Sequence, residues 1–340
     1  MTRLFDVAVL GATGAVGETV LEILAQRKFP VGKIYPLASE KSAGSEVLFK
    51  KKPILVEDAE HFDFSKAQIC FSAVDAKIAK KYVPRAAEAG CVVIDKSSQF
   101  RYDEDIPLVI PEVNPDAIAD YRNRNIIAVP NCSTIQMLVA LKPIYDAVGI
   151  ERINVATYQS VSGSGKEAVE ELSQQMIDLL NGRGAKNKVY PVQIAFNVLP
   201  HIDEFLDNGY TKEEMKMVWE TQKIFNDYNL TINPTAVRVP VFYGHSEAIH
   251  IETSQKISAD NARELLRESP GIIVIDEQQP GGYPTPLMLA EQEDAVYVGR
   301  IREDISHPHG LDLWVVADNI RKGAALNAIQ IAELLIRDYL

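Results

Sequence analysis

Apolar residues recur along this chain in two different rhythms. Over the first 130 residues, short apolar runs stand at Asp6–Leu10, Lys33–Leu37, Gln68–Ser72, Val92–Asp95, Leu108–Ile110 and Ile126–Val129. Helical patterns separate them at Val16–Gln26, Ala76–Glu88 and Pro115–Tyr121. Such alternation predicts a parallel sheet covered by helices on both faces. After residue 131 the pattern changes. A helix over Ile135–Val148 leads to an alternating strand, Arg152–Gln159, then a Gly/Ser loop and an amphipathic helix, Lys166–Leu180. Strands of period two follow at Ala236–Tyr243, Glu247–Thr253, Ala295–Ile301 and Leu311–Ala317, and a long helix closes the chain over Lys322–Tyr339. That second half predicts an antiparallel or mixed sheet with helices on one face.

A length of 340 residues suits about two domains. Hydrophobic content of 46% with 24% charged residues is that of a globular protein, and no run approaches the ~20 apolar residues of a membrane span. Asp6 stands where a signal peptide would be apolar, so export is not expected. A net charge of −12 speaks against nucleic acid as a partner. An anionic substrate would have to be met by particular arginines and lysines. Six histidines without ligand spacing indicate no metal site. Three cysteines form no disulfide framework and fit a reducing cytoplasm; Cys70 and Cys91 read as small core residues within strands.

Cys132 reads differently. It lies between the strand Ile126–Val129 and the apolar helical run, in Asn131-Cys132-Ser133-Thr134. Free N–H groups and the dipole at a helix N-terminus favour an anion, so a thiolate there is stabilised. A buried structural cysteine is the competing explanation for any lone thiol.

The first strand runs directly into Gly11-Ala12-Thr13-Gly14-Ala15-Val16-Gly17 and then a helix. Three glycines permit a tight turn, a close approach of pyrophosphate, and close helix–strand packing. The spacing is GxxGxxG, so a merely structural turn is the alternative. After the second strand, Ser39, Lys41 and Ser42 could receive a 2′-phosphate, while Glu40 suits a ribose hydroxyl. On balance the group predicts NADP. Ser160–Lys166 resembles a phosphate loop but has serine where that loop requires glycine.

A cysteine with a nicotinamide suggests aldehyde oxidation through a thioester. His245, in Gly244-His245-Ser246, is the candidate proton-transfer group, with turn capping as the alternative. Arg238 in an apolar strand needs an anionic partner, which a substrate carboxylate or an internal acid could supply. Arg101 is a loop cation able to bind phosphate. Glu220 and Lys223, three apart on a helix, fit a site pair or a surface salt bridge.

Taken in order, the Gly11–Gly17 loop, Val129–Thr134, Tyr158–Gly163, Arg238–Val241 through Gly244-His245, and Asp318–Ala325 resemble the aspartate-β-semialdehyde dehydrogenase family of the shorter bacterial kind, over the whole chain. The resemblance implies an α/β protein: a Rossmann-like NADP-binding domain over residues 1–130, completed by a helix at 320–340, and an α+β catalytic and dimerisation domain over 131–319. It implies reversible oxidation of L-aspartate 4-semialdehyde with inorganic phosphate to 4-aspartyl phosphate, feeding lysine (through diaminopimelate), threonine and methionine synthesis, in a cytoplasmic homodimer. Carried across, Cys132 is the acyl-thioester nucleophile and His245 the acid/base group. Gln159 orients substrate, Arg238 binds its α-carboxylate, and Glu220 lies near its ammonium. Arg101, Lys223 and Asn131 match the phosphate site. Gly11, Thr13, Gly14, Ala15, Val16, Ser39, Lys41, Ser42, Ser162, Gly163 and Asn319 match cofactor contacts. Lys41 replaces the arginine common in the family and loses its planar fork. N-acetyl-γ-glutamyl-phosphate reductase shares the chemistry but sets its cysteine in Gly-Cys-Tyr-Pro. A non-catalytic relative would lack the cysteine or histidine, and a non-phosphorylating dehydrogenase would not need Arg101 and Lys223.

Overall fold

The computed structural model describes residues 3–289 and 293–340. They form two compact units: the residues up to Asn131 together with Ala324–Leu340, and Cys132–Gly323.

In the first unit, β1 (Phe5–Leu10), β2 (Val31–Ala38), β5 (Glu57–Asp58), β6 (Ile69–Ser72), β7 (Val92–Asp95) and β8 (Ile126–Ala128) form one parallel sheet in the order β5-β2-β1-β6-β7-β8. A small hairpin, β3 (Glu46–Phe49) with β4 (Lys52–Leu55), lies outside it. Every residue of β6 and β7 is buried, as a strand covered on both faces requires. Helix α1 (Ala15–Gln26) links β1 to β2, and α2 (Ala76–Glu88) links β6 to β7. The chain therefore leaves β1 toward β2 and returns on the other side at β6, which makes the carboxyl ends of β1 and β6 the topological switch point. The last helix, Leu326–Asp338, belongs to this unit. It is tied by a two-pronged Arg27–Glu333 pair at 2.7–2.8 Å and by Asn327 Nδ2 donating to Val109 O at 3.0 Å.

The second unit is built on a mixed sheet ordered β10-β9-β11-β14-β13-β12. Its strands are β9 (Ile150–Gln159), β10 (Thr231–Arg238), β11 (His245–Thr253), β12 (Ile272–Val274), β13 (Val296–Glu303) and β14 (Gly310–Ala317). Only the edge pairs β10–β9 and β12–β13 are parallel. Helix α3 (Cys132–Val148) packs on β9, β11, β13 and β14; α5 (Lys212–Phe225) packs on α3 and β10, and α6 (Ala259–Arg267) on α3, β12 and β13. Helix α4 (Lys166–Leu180) follows β9, and the short α7 (Pro286–Leu289) precedes β13. Period two puts His245, Glu247, Ile249 and Ile251 on one buried face of β11, with Ala248, His250 and Glu252 less buried between them.

Several expected elements differ. Leu108–Ile110 is not a strand: Leu108 makes one bridge to Ala128, and the Asn114 side chain takes Leu108 O and Ile110 N at 2.9 Å each. Pro115–Asn123 is a 3₁₀ helix beginning on proline. The strand expected over Ala236–Tyr243 instead spans Thr231–Arg238. Pro240, without an N–H, ends the ladder, whereas Pro234 is accommodated because β10 is an edge strand. His245 opens β11 instead of sitting in the turn. Helix α3 starts at Cys132, three residues before the expected start. The final helix is preceded by a π turn over Arg321–Ala325, whose entry is fixed by Asp318 Oδ1 accepting from Ile320 and Arg321 N–H.

Candidate active site

The nucleotide end is built from backbone. Gly11 leaves β1 at φ +84°, a conformation that only glycine adopts freely, and a Cβ there would lie 2.8 Å from Val74 Cγ1. A Cβ on Gly17 would fall 2.1 Å from Gly11 O, so the helix can pack this closely only through glycine. Gly14 caps α1 with no side-chain hydrogen bond, leaving the N–H groups of Ala15 and Val16 at an uncovered helix start. Thr13 lies in the same turn. This cradle, at the switch point of the sheet, fits a dinucleotide pyrophosphate. Beyond β2, Ser39, Glu40 and Lys41 are exposed on a turn that Ser42 and Ala43 N–H close onto Ser39 O. Arg101, also in this unit, is buried and donates from Nη2 to Lys96 O at 2.7 Å.

The chemical end lies in the second unit. Cys132 is the first residue of α3, half-buried, directly after Asn131. A Cβ added to Gly323 would lie 2.7 Å from Cys132 Cβ, so the π turn passes against the cysteine with no room for a side chain. Gln159, at the end of β9, and His245, at the start of β11, bring their Nε2 atoms to 3.5 Å. Both are buried.

His245 is oriented from behind. Ser160 N–H donates to its Nδ1 at 3.1 Å, so Nδ1 is an acceptor and the neutral ring carries its proton on Nε2. Burial first, and the Arg238 charge second, lower its pKa from 6.5 to about 3, with Glu213 pulling the other way. Ser160 Oγ lies 3.1 Å from the same Nδ1 and 3.2 Å from Asn319 Oδ1. Asn319 Oδ1 also accepts from Ser162 Oγ at 3.2 Å and from Gly244 N–H at 3.0 Å, knotting the loop after β9 to the turn before β11.

Arg238 ends β10, buried, with Nη1 donating to Ser160 O at 2.8 Å while its buried Nε has no partner among the described residues. An arginine with an unused donor suits an anion. Gly163 lies against both groups: a Cβ there would be 3.1 Å from Arg238 Nη1 and 3.3 Å from His245 Nε2. Gln159, Gly163, Arg238 and His245 are thus one cluster. Glu220 is fully buried and Lys223 half-buried on α5. No group of three or more His, Cys, Asp or Glu side chains among the described residues could hold a metal ion.

Four residues here escape a reading of the sequence. Glu213 accepts from Gln159 Nε2 at 3.0 Å, and Gly323 abuts the cysteine. Ser160 was visible only as a failed phosphate loop. Glu247, one alternation from His245, is fully buried beside the Gln136 side chain, and neither oxygen makes a hydrogen bond of good geometry among the described residues. For Glu213 a signal existed: Thr211 and Glu214 form a capping box that starts α5, and this T-x-x-E pattern precedes its apolar stripe.

A dinucleotide cradle on a parallel sheet, joined to a mixed-sheet unit with a cysteine at a helix start, is the plan of a semialdehyde dehydrogenase. Residues 6–121 match the family described as "Semialdehyde dehydrogenase, NAD binding domain" and residues 141–322 "Semialdehyde dehydrogenase, dimerisation domain". The chain is similar to the aspartate-semialdehyde dehydrogenase of Shewanella violacea, 66% identical over 339 residues and 100% of both chains. It is similar also to the crystal structure of Vibrio cholerae aspartate semialdehyde dehydrogenase II complexed with ASA (TM-score 0.98, 59% identity, all of both chains), and to the Candida albicans enzyme with NADP (TM-score 0.77, 27% identity, 98% and 99% covered). The chain belongs to the aspartate-semialdehyde dehydrogenase family.

Proposed function

We propose that the protein catalyses the reversible, NADP- and phosphate-dependent oxidation of L-aspartate 4-semialdehyde to 4-aspartyl phosphate, within lysine, threonine and methionine synthesis. The observation that carries the chemistry is the pair of buried nitrogens on Gln159 and His245, 3.5 Å apart, beside an arginine with a free donor. Arg238 takes the α-carboxylate of the substrate and Glu220 its ammonium, which hold the aldehyde in one orientation. The Cys132 thiolate, favoured by the helix start, adds to the aldehyde carbon. A C–S bond forms and the carbonyl oxygen becomes an alkoxide.

Two N–H donors, Gln159 Nε2–H and His245 Nε2–H, can meet that oxygen together and stabilise its charge. The resting tautomer of His245 offers an N–H and no lone pair at Nε2, so it first donates a hydrogen bond to the alkoxide, keeping its proton as the carbonyl re-forms on hydride loss, and does not abstract a proton from sulfur. NADP, when bound at the Gly11–Val16 cradle, supplies the hydride acceptor that turns this adduct into an acyl thioester. Phosphate, held by Arg101, Lys223 and Asn131, then attacks the acyl carbon. The C–S bond breaks and the thiolate is restored, so no net proton is needed at the cysteine.

Ser39, Lys41 and Ser42 are proposed to face the 2′-phosphate, and Ser162, Gly163 and Asn319 to add further cofactor contacts. We take the second unit as the dimerisation domain of a homodimer. Its less buried sheet face carries the Tyr158–Trp314 ring pair, centroids 5.5 Å apart, and Tyr158 is partly exposed. Three cysteines outside any disulfide fit a cytoplasmic setting. No helix among the described residues is long and apolar enough to cross a membrane.

The deciding assay follows NADPH formation with L-aspartate 4-semialdehyde, with and without phosphate. Phosphate-dependent turnover is expected; its absence, with the folded protein in hand, would sink the assignment.

A further inference from the structure

Where α3 packs on β11, both ends of the Gln136 amide and both oxygens of Glu247 are buried without a hydrogen bond of good geometry among the described residues. Buried polar groups are costly to leave so, and each needs a partner within reach. These two side chains are neighbours, since the Gln136 side chain acts on the Glu247 carboxyl. Strand β11 also packs against β9 and β14. Thr157 and Val315 stand opposite Glu247 on those strands, with Val155 and Leu313 beyond them on the same face. None of the four carries a charge, and Thr157 Oγ1 already donates to Gln159 Oε1 at 3.1 Å. His245 on β11 is buried and neutral at pH 7, and Cys132 lies one turn before Gln136 on α3. Farther along α3, Lys142 and Asp146 pair with each other and Tyr145 donates to Asp227. Burial therefore decides the ionisation of Glu247, and it favours the neutral acid.

A neutral carboxyl and a primary amide are complementary. The acid offers an O–H and a C=O, the amide a C=O and an N–H, so the two can close a ring of two hydrogen bonds. The terminal torsions of glutamate and glutamine are soft enough to bring the two planes face to face. A carboxylate would engage only the NH₂ end and would leave a charge buried.

We propose that Glu247 is a positioning residue: as a neutral carboxylic acid it forms a two-point hydrogen-bonded pair with the Gln136 amide, clamping α3 to β11 just below the cysteine and the histidine.

The place of the pair gives it a consequence. Gln136 follows Cys132 by about 6 Å of helix, and Glu247 follows His245 by about 6.6 Å of strand. The clamp thus lies at about the same depth below both groups and holds helix start against strand start. A misplacement of about 1 Å between reacting groups can cost about 100-fold in rate. Loss of the clamp should therefore appear in kcat more than in KM.

The positioning role rests on reading Cys132 and His245 as one catalytic pair; the Gln136–Glu247 pairing does not, and it is measured without substrate. Infrared difference spectra of the parent against Glu247→Gln at pH 7 should show the C=O band of a neutral carboxylic acid; a carboxylate band in its place overturns the proposal. In urea unfolding, Glu247→Met should lower the midpoint, and by less than about half as much once Gln136 is also methionine, because removing both partners strands no polar group. Equal shifts in the two backgrounds overturn the pairing. Should Glu247→Met not fold alone, recovery of folding in the double variant is the expected coupling, its failure overturns the pairing, and Gln136→Met enters the kinetics instead. There, the methionine variant is expected to lower kcat about 10-fold with KM changed less than about threefold. Glu247→Gln, whose amide can pair in the same two-point way, should keep at least about half of the parent kcat. A glutamine variant as slow as the methionine one, or a methionine variant as fast as the parent, overturns the positioning role. If the parent pairs the two side chains but does not turn over the semialdehyde, the substrate assignment fails and the pairing stands. The thiol is then read by iodoacetamide, and an alkylation rate of Cys132 unchanged in the methionine variant overturns the positioning role.

Discussion

The backbone N–H of Ser160 donates to Nδ1 of His245 from 3.1 Å. A backbone donor cannot change its sense, so the tautomer of a fully buried histidine is set by the chain that runs past it. The neutral ring then presents Nε2–H to the pocket, and protonation would place two donors face to face at Nδ1. Nitrogen-15 spectra of the folded protein at pH 7 should show one histidine with an unprotonated Nδ1 and a protonated Nε2. His245→Asn should leave a slow residual rate, about 100- to 10,000-fold down, whereas Cys132→Ala should abolish turnover.

The same histidine makes stability depend on pH. Its folded pKa is lowered from 6.5 to about 3, chiefly by burial and then by Arg238. The unfolded chain therefore binds a proton first as pH falls. The contribution is full above about pH 6.5 and is lost progressively toward pH 3. Relative to His245→Asn, the parent should lose stability between pH 7 and pH 5 in urea titrations. Parallel curves for the two proteins would show that the ring takes its proton without cost.

Glu247 has the opposite sign. Burial pushes its carboxyl well above 4.5, against a smaller downward pull from the Gln136 side chain, and neither oxygen makes a hydrogen bond of good geometry among the described residues. The folded state keeps the proton that the unfolded state gives up, so this group costs nothing below about pH 4.5 and increasingly destabilises as pH rises. Glu247→Gln should gain stability over the parent with rising pH, by up to about 1.4 kcal/mol per pH unit while the folded group stays protonated. An advantage that is the same at pH 5 and pH 8 would contradict this.

Gly323 is required by contact and not by backbone conformation. Its missing Cβ would stand 2.7 Å from Cys132 Cβ. Gly323→Ala must displace either the π turn or the start of α3, at a cost of roughly 1–3 kcal/mol. We expect a lowered melting temperature and slower alkylation of Cys132 by iodoacetamide. An unchanged alkylation rate would mean that the turn yields and the cysteine does not.

Arg238 and Lys41 test binding at the two ends. Arg238→Leu should raise KM for the semialdehyde far more than for phosphate, because the lost partner is a carboxylate; equal changes would move Arg238 to another role. Lys41→Ala should narrow the preference for NADP over NAD in kcat/KM, since Lys41 is exposed on the turn after β2. If the preference stays the same, a different group reads the 2′-phosphate.

Local pattern alone determined much of this protein. The continuous apolar runs of β6 and β7, the glycines between β1 and α1, and the alternation of β9, β11 and β14 each state their element and its burial, because period and backbone freedom are local properties. Cys132, Arg238 and His245 stood out as candidates too, as reactive or charged side chains at the ends of apolar segments, whereas Gln159 was marked only by the family resemblance. Segment ends were less so. Leu108–Ile110 is apolar enough for a strand, yet Asn114 satisfies its backbone from six residues away. What only the tertiary structure decided is which groups face one another. Gln159 and Glu213 are 54 residues apart, Ser160 and His245 85, and Cys132 meets Gly323 across most of the chain. The proton on Nε2, the facing of the Gln159 amide and the need for glycine at 323 follow from those meetings. Each is a matter of hydrogen-bond sense or of contact at van der Waals range, and neither is encoded in the spacing of residues along one strand or helix.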